Sequence, residues 1–172
     1  MADVDKNQAV IEFLLQCPQI AANRVFFNYI NGKDNDKQIV TVSNDRSTNQ
    51  AYIDGSVMKR YTFTLIDFRS MTDQAIVKVQ KPAPGTTQPI PSYPNENVEE
   101  LFDVQSILDW VETQAEARNF PDFGSDCLID SMTTSSNTPN LNGVDSSIKP
   151  ALAKYSMSIF IDYIDRTKQI WR

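Results

Sequence analysis

Four carboxylates on one predicted helix are the side chains of this sequence that could take part in acid–base chemistry. They are Glu99, Glu100, Asp103 and Asp109. General acid–base catalysis requires two such groups that converge on a cleft and have separated pKa values. Here they lie along one helix, without a partnering base or a cluster of metal ligands beside them. We therefore expect no catalytic residue in this chain, and a carboxylate-dependent enzyme is the least favoured function.

The residue types that the sequence lacks exclude further chemistry. It contains no histidine, so it can form neither a Ser-His-Asp nor a Cys-His arrangement, nor a zinc site with histidine ligands. Its two cysteines, Cys17 and Cys127, cannot build a four-cysteine site, and no glycine-rich phosphate motif occurs. We expect no cofactor and no metal. Both cysteines are interpreted as free, buried thiols, because each lies in an apolar pattern of a cytoplasmic chain.

Charge and hydrophobicity limit the classes of protein that the sequence suits. The chain has 172 residues, of which 41% are hydrophobic, and this is enough for one domain with a sizeable core. Its net charge of −6 repels nucleic-acid phosphates, so DNA binding is not expected to be its main task. It contains no apolar run long enough to span a membrane and no apolar stretch typical of a signal peptide. We expect a soluble, cytoplasmic protein without a membrane partner.

The carboxylates belong to the longer of two predicted helices, which extends from Glu96 to Arg118. Its acidic first turn suits the positive end of the helix dipole, and the remaining acidic side chains are expected to form a solvated face. The apolar stripe of this helix, spaced by three and four residues, consists of Leu101, Val104, Leu108, Val111 and Ala115.

A second amphipathic pattern near the N-terminus predicts a shorter helix. Apolar residues recur at spacings of four and three between Val10 and Cys17. Asp3 or Asp5 can serve as its N-cap, and Pro18 would end or bend its last turn.

Runs of β-branched and aromatic residues between turn-forming residues predict the strands. They occupy residues 24–30, 37–43, 51–70 and 127–132, with a weaker signal over residues 74–80. A long polar loop is predicted over residues 133–150, before a closing strand. Because strands and helices do not alternate regularly, we predict an α+β fold in one domain spanning residues 1–172. A mostly antiparallel β-sheet would pack against two main α-helices.

The closing strand, residues 155–164, is apolar on both of its faces. Tyr155, Met157, Ile159, Ile161 and Tyr163 lie on one face, and Phe160 and Ile164 lie on the other. A strand with one face in water would alternate cleanly between apolar and polar residues. The long helix can cover the first face. Either other parts of the same chain or another copy of the protein covers the second.

A proline-rich segment at residues 81–94 separates the strands from the long helix. It contains five prolines and one glycine in fourteen residues, a composition that forbids a helix or a central strand. We predict an extended, protruding loop. It is either an adhesive arm, since prolines lower the entropy lost when a segment is fixed on a partner, or a solvated connection.

Four segments of the chain, taken in order, carry a family resemblance. They are DKNQAVIEFLLQCPQIAANRVFFNYI, DGSVMKRYTFTLIDFRS, NENVEELFDVQSILDWVETQAEARNFPDFG and NLNGVDSSIKPALAKYSMSIFIDYID. Together they resemble the tail terminator proteins of tailed phages and prophages of Gram-positive bacteria, a family often labelled minor capsid proteins. The resemblance covers most of the chain. It lies in the order of the segments and in their amino-acid sequences, because this family has no catalytic signature.

The resemblance implies a structural role in a virus particle. A tail-terminator-like α+β subunit would form a homohexameric ring in the tail or neck of the virion, assembled in the host cytoplasm. The ring would cap the last ring of tail tube protein, end tube polymerisation and dock on the head–tail connector. Genomic DNA would pass through its lumen without being read.

The composition of the proline-rich arm and the apolar character of the C-terminus predict where the chain contacts its partners. Contact with the tail tube or with a neighbouring subunit is predicted for Lys81, Gln88, Ile90, Tyr93 and Trp171. Two alternatives belong to the same class of protein. One is another ring component of the neck, such as a connector or a tube subunit, and the other is the same ring in a phage-derived bacteriocin.

Overall fold

The computed structural model describes residues 5–28, 33–34, 36–41, 50–71 and 96–170, with only the backbone described for residues 96–99. These residues form three α-helices and seven strands. In chain order the elements are α1 (Lys6–Leu14), α2 (Pro18–Ala21), β1 (Val25–Phe27), β2 (Lys37–Thr41), β3 (Gln50–Ala51), β4 (Val57–Met71), α3 (Glu96–Glu116), β5 (Cys127–Thr134), β6 (Asn140–Asp145) and β7 (Ala151–Asp165). The fold is α+β, as predicted. No described helix is long and apolar enough to cross a membrane.

The seven strands form one sheet in which only β1 and β2 run parallel. The order across the sheet is β1-β2-β4-β7-β5, with β3 also paired to β4 and β6 also paired to β7. The antiparallel pair β4 and β7 forms the centre, because the two long strands pair along their whole length. On the far side of β7, β5 and β6 follow each other along the strand. The closing strand is therefore a central strand.

The helices pack on one face of this sheet, which we call the helix face. Odd-numbered residues of β4 and β7, such as Phe63, Leu65 and Ile159, point to this face and are fully buried with Val104 and Leu108 of α3. The two main helices touch each other where the rings of Phe13 and Trp110 lie 5.1 Å apart between centroids. The predicted packing of the closing strand on the helices is confirmed.

The second face of β7 is covered more sparsely, by groups of different kinds. Leu152 is buried with Ile66 and Phe68 in a small separate cluster. Farther along the strand, the guanidinium of Arg60 lies 5.1 Å from the centre of the Phe160 ring. This face is thus covered in part by side chains of the same chain.

The observed ends of the helices agree only in part with those predicted from the sequence. Asp5 caps α1 by accepting a hydrogen bond from the Asn7 N–H (2.9 Å). Pro18 does not lie in the last turn of α1 but at the start of the separate helix α2, where its missing N–H costs nothing. At the other main helix, α3 ends at Glu116, two residues before the predicted end at Arg118, which has a positive φ of 54°.

Three sequence predictions require correction. Residues 140–145 form strand β6 where a polar loop was predicted, because pairing with β7 outweighs their weak strand propensity. Leu101 of the predicted stripe is exposed, whereas Ile107 is fully buried. Cys127 is only half-buried, although both cysteines are free as predicted. The predicted strand at residues 74–80 and the loop at residues 81–94 lie outside the described residues.

Candidate interaction surface

Two of the four carboxylates considered for catalysis converge on a single arginine. Arg69 Nη1 donates to Glu100 Oε2 at 2.8 Å and lies 3.4 Å from Asp103 Oδ2. Its Nε donates to Asp67 Oδ2 at 3.2 Å, and the arginine side chain is only 6% exposed. Asp109 instead accepts a hydrogen bond from Gln105. Glu100 and Asp103 are therefore partners of a buried cation, although the Asp103 side chain remains 66% exposed on the predicted solvated face.

A buried lysine completes this charged cluster. Lys37 Nζ donates to Asp67 Oδ1 at 2.5 Å, and both side chains are fully buried. Burial lowers the pKa of Lys37 and raises that of Asp67, and the attraction between the two groups opposes both shifts. For Arg69, attraction to Asp67 and Glu100 outweighs burial and raises the pKa. The cluster ties β2 and β4 to the start of α3.

The described side chains do not include a group of three or more histidine, cysteine, aspartate or glutamate residues that could hold a metal ion. Exposed apolar side chains at the ends and edges of the sheet are the described features that could bind another protein. Within the described residues, β5 and β6 form one lateral edge of the sheet, and β1 forms the other, with β3 farther along β4 on the same side.

Strand β6 is exposed along its whole length and carries two apolar side chains on the helix face. A β-bulge between Leu141 and Gly143 inserts one extra residue. As a result Leu141 pairs with Tyr155 and Val144 pairs with Ala153, so both point to the face on which the helices pack. The helices do not cover them, since Leu141 is 53% exposed and Val144 is 45% exposed.

The opposite edge also presents apolar residues on the helix face. Val25 of β1 pairs with Lys37, and Phe27 pairs with Ile39. The side chains of Lys37 and Ile39 point to the helices, so those of Val25 and Phe27 lie on the same face. Val25 is half-buried against the main core, and Phe27 is 37% exposed. Asn28 then closes β1 onto β2 by donating its N–H to the Ile39 carbonyl at 2.9 Å.

A third exposed apolar patch lies at one end of the sheet, on the turn between β3 and β4. Ile53 is fully exposed at the tip of this turn, next to Tyr52. The Asp54 carbonyl accepts a hydrogen bond from the N–H of Ile170, so the C-terminal segment is held against the turn. Ile53 and Ile170 are thus both exposed apolar side chains of segments that meet at this end of the sheet.

The five contact residues predicted from the sequence, Lys81, Gln88, Ile90, Tyr93 and Trp171, lie outside the described residues. Sequence reasoning did not identify Leu141 and Val144, because they occur in a segment rich in asparagine, serine and glycine. Their spacing of three also disagrees with strand alternation, and only the bulge brings them to one face. No protein-family model matches the chain, and no curated protein matches its sequence.

Proposed function

We propose that this protein is a structural subunit that assembles into a ring and caps the head-proximal end of a phage tail tube. The observation that supports assembly is the exposed apolar pair Leu141 and Val144 on edge strand β6. An exposed strand edge with apolar side chains promotes association, and proteins usually protect such an edge. A second copy of the chain would cover both the edge and the side chains.

The tail-terminator role rests on the family resemblance of the four sequence segments. On this proposal the ring is a homohexamer in the tail or neck of the virion. Its partners are the tail tube protein on one side and the head–tail connector on the other. A heterologous interface that closes by rotation produces such a ring without a second kind of subunit.

The charge of the chain suits a ring through which DNA moves. With a net charge of −6, the subunit repels phosphates and would form few lasting contacts with DNA in its lumen. The arrangement of Glu100 and Asp103 reduces this effect locally, because both carboxylates are engaged with Arg69. Transit of DNA, rather than recognition of its sequence, is the proposed relationship.

Electron microscopy of tails assembled with and without this protein tests the proposal. We expect tubes of uniform length in its presence and tubes of uncontrolled length in its absence. Equal length distributions in the two samples would contradict a terminator role.

The purified protein separates the proposed role from related ring components. A terminator should bind the ends of preformed tubes and should not form long tubes alone. Long tubes grown from this protein alone would identify a tube subunit. Binding to heads without binding to tubes would identify a connector.

A further inference from the structure

The strand directions allow the two lateral edges of the sheet to pair with each other between copies. Strands β1, β2 and β7 run in one direction, and β4 and β6 run in the other. Rotation about a ring axis places the next copy with the same face outward. If the strands are tilted from that axis as in closed sheets, they keep their directions, and β1 of the next copy lies antiparallel to β6. Antiparallel pairing needs no crossover or rearrangement of either strand.

On both edges, the backbone N–H and C=O groups of the apolar residues point away from the sheet, where a neighbouring strand could bind them. Lys37 donates to the Arg24 carbonyl and Asn28 donates to Ile39, so residues 24 and 28 face β2. Because backbone groups alternate along a strand, those of Val25 and Phe27 point away from the sheet.

The same alternation applies on the other edge. Ser135 donates to the Ser158 carbonyl, which places the backbone groups of even-numbered β7 residues toward β5 and β6. Leu141 and Val144 pair with odd-numbered residues of β7. Their own backbone N–H and C=O groups therefore point outward, toward a neighbouring chain.

From this complementarity we infer that β6 of one copy pairs with β1 of the next, with Leu141 opposite Phe27 and Val144 opposite Val25. This inference rests on the proposed ring and names its subunit interface. All four side chains lie on the helix face, so the apolar pairs meet on the same side of the joined sheet. The next pair along the strands joins Asp145 to Arg24, whose guanidinium already donates to both carboxylate oxygens of Asp36, so the register does not depend on this charge pair.

The β-bulge is what makes this register consistent. Two residues of β6, Asn142 and Gly143, lie between Leu141 and Val144, whereas only Phe26 lies between Phe27 and Val25. Gly143 adopts a φ of 146°, which a side chain would disfavour, and a Cβ there would meet no atom within 4 Å. Glycine is therefore required at this position by the backbone conformation of the bulge and not by a lack of space for a side chain.

The register also supplies the stagger that a closed sheet needs. Within one subunit, the register can be followed across the sheet from one edge to the other. Leu141 pairs with Tyr155, which pairs with Asp67. Asp67 pairs with Lys37, which pairs with Val25, so Leu141 and Val25 lie at the same level. In the inferred interface Leu141 instead lies opposite Phe27, two residues farther along. An even offset keeps every side chain on its face, and a sheet closes only with such a stagger.

Engineered disulfides test the inferred register. Hydrogen-bonded antiparallel partners lie about 5.5 Å apart between Cα atoms, which suits a disulfide. In a Cys127→Ser background, the pair Val25→Cys and Val144→Cys should give, after mild oxidation, a ladder of covalent oligomers that ends at the ring. The matched control combines Val25→Cys with Asp145→Cys, one residue away and on the opposite face, and it should give at least about tenfold less product.

The outcomes separate the interface from the tail function. Equal ladders from the two pairs, or no ladder from either, would overturn the edge-to-edge register. Tail capping by the protein without a ladder would leave the proposed function standing and refute the interface. A strong ladder from a protein that does not control tube length would support the interface and refute the proposed tail function.

A surface variant gives an independent readout of the same interface. Val144→Lys places a charge on a side chain that is exposed in the subunit, so we expect native circular dichroism and loss of the ring by native mass spectrometry. Ile148→Lys, on an exposed apolar residue outside the paired register, should still form the ring. Assembly of Val144→Lys to the wild-type extent would also overturn the inference.

Discussion

At the scale of single residues, Asp67 and Asp103 are acidic side chains that contact the same arginine from different environments. Asp67 is fully buried between Lys37 and Arg69, whereas Asp103 reaches the same arginine from a mostly exposed position. A buried ion pair contributes little net stability relative to apolar side chains, but removal of one partner leaves an uncompensated charge. The cost of a substitution thus depends on which partner remains.

Lys37→Met should show this asymmetry. Loss of the cation leaves the Asp67 carboxylate with only the more distant Arg69 in a fully buried site. We expect the free energy of unfolding in urea to fall by about 3–5 kcal/mol. The double variant Lys37→Met with Asp67→Leu should recover most of this loss, because the cation that remains buried at the site, Arg69, keeps Glu100 and Asp103 as partners. Equal losses in the single and double variants would contradict this explanation.

Asp165 should make stability depend on pH in the acidic range. Burial acts to raise its pKa, but hydrogen bonds from Lys59 and Thr167 outweigh this effect and lower the pKa to about 2. The unfolded chain has a value of about 3.9 for aspartate. Because the folded pKa lies below the unfolded one, ionised Asp165 stabilises the folded state. This contribution to the free energy of unfolding is complete above about pH 4 and is lost as pH falls toward about 2.

Denaturation of Asp165→Asn as a function of pH measures this contribution. The variant should be less stable than the wild type at pH 6, and the difference should shrink between about pH 4 and pH 2. A difference that stays constant over this range would show that the ionised carboxylate is not responsible.

At the scale of elements, the buried stripe of α3 is shorter than its sequence indicates, and it includes one residue outside the predicted spacing. Val104, Ile107, Leu108 and Val111 are buried, and Leu101 at the start of the helix is exposed. The periodicity located the helix and its inner side, but the depth of burial depends on where the sheet lies beneath each turn.

Leu108→Asp should prevent folding. The side chain is 1% exposed in the centre of the helix–sheet contact, and burial of an unpaired carboxylate costs several kcal/mol, about the stability of a small domain. Leu101→Asp is the matched control on the same helix, and we expect it to leave the thermal unfolding transition nearly unchanged. Cooperative melting of Leu108→Asp at the wild-type temperature would refute the assignment of this helix face.

At the scale of the whole molecule, the described sheet and the predicted proline-rich arm are separate candidates for contacts in assembly. The sheet presents its two lateral edges within the described residues, and the segment at residues 81–94 remains a predicted adhesive arm. The two surfaces would serve separate contacts, one between copies and the other toward the tail tube.

Deletion of residues 84–91, bridged by two glycines, tests the arm. A solvated connection would tolerate the change, because loop length affects closure entropy only slowly. We expect the variant to keep the wild-type circular dichroism spectrum and ring but to lose co-sedimentation with tail tubes. Undiminished co-sedimentation would reject the arm and leave the sheet as the surface that binds the tube.

Local patterns in the sequence determined the elements whose residues meet the core on a regular spacing. The two main helices and the buried face of β7 follow from periodicity, which depends on neighbours in the chain, and capping preferences limited the N-cap of α1 to Asp3 or Asp5. These patterns also predicted the α+β class, because helix and strand signals are segregated along the sequence.

The tertiary structure alone decided the features that depend on residues distant in the chain. Strand β6 exists because β7 pairs with it, and Leu141 and Val144 share a face only through a bulge that their spacing hides. Asp67 lies opposite Lys37 because β2 and β4 pair in one register, and α3 brings Glu100 to the same cluster. Strand pairing and burial are set by long-range contacts, so local periodicity cannot specify them.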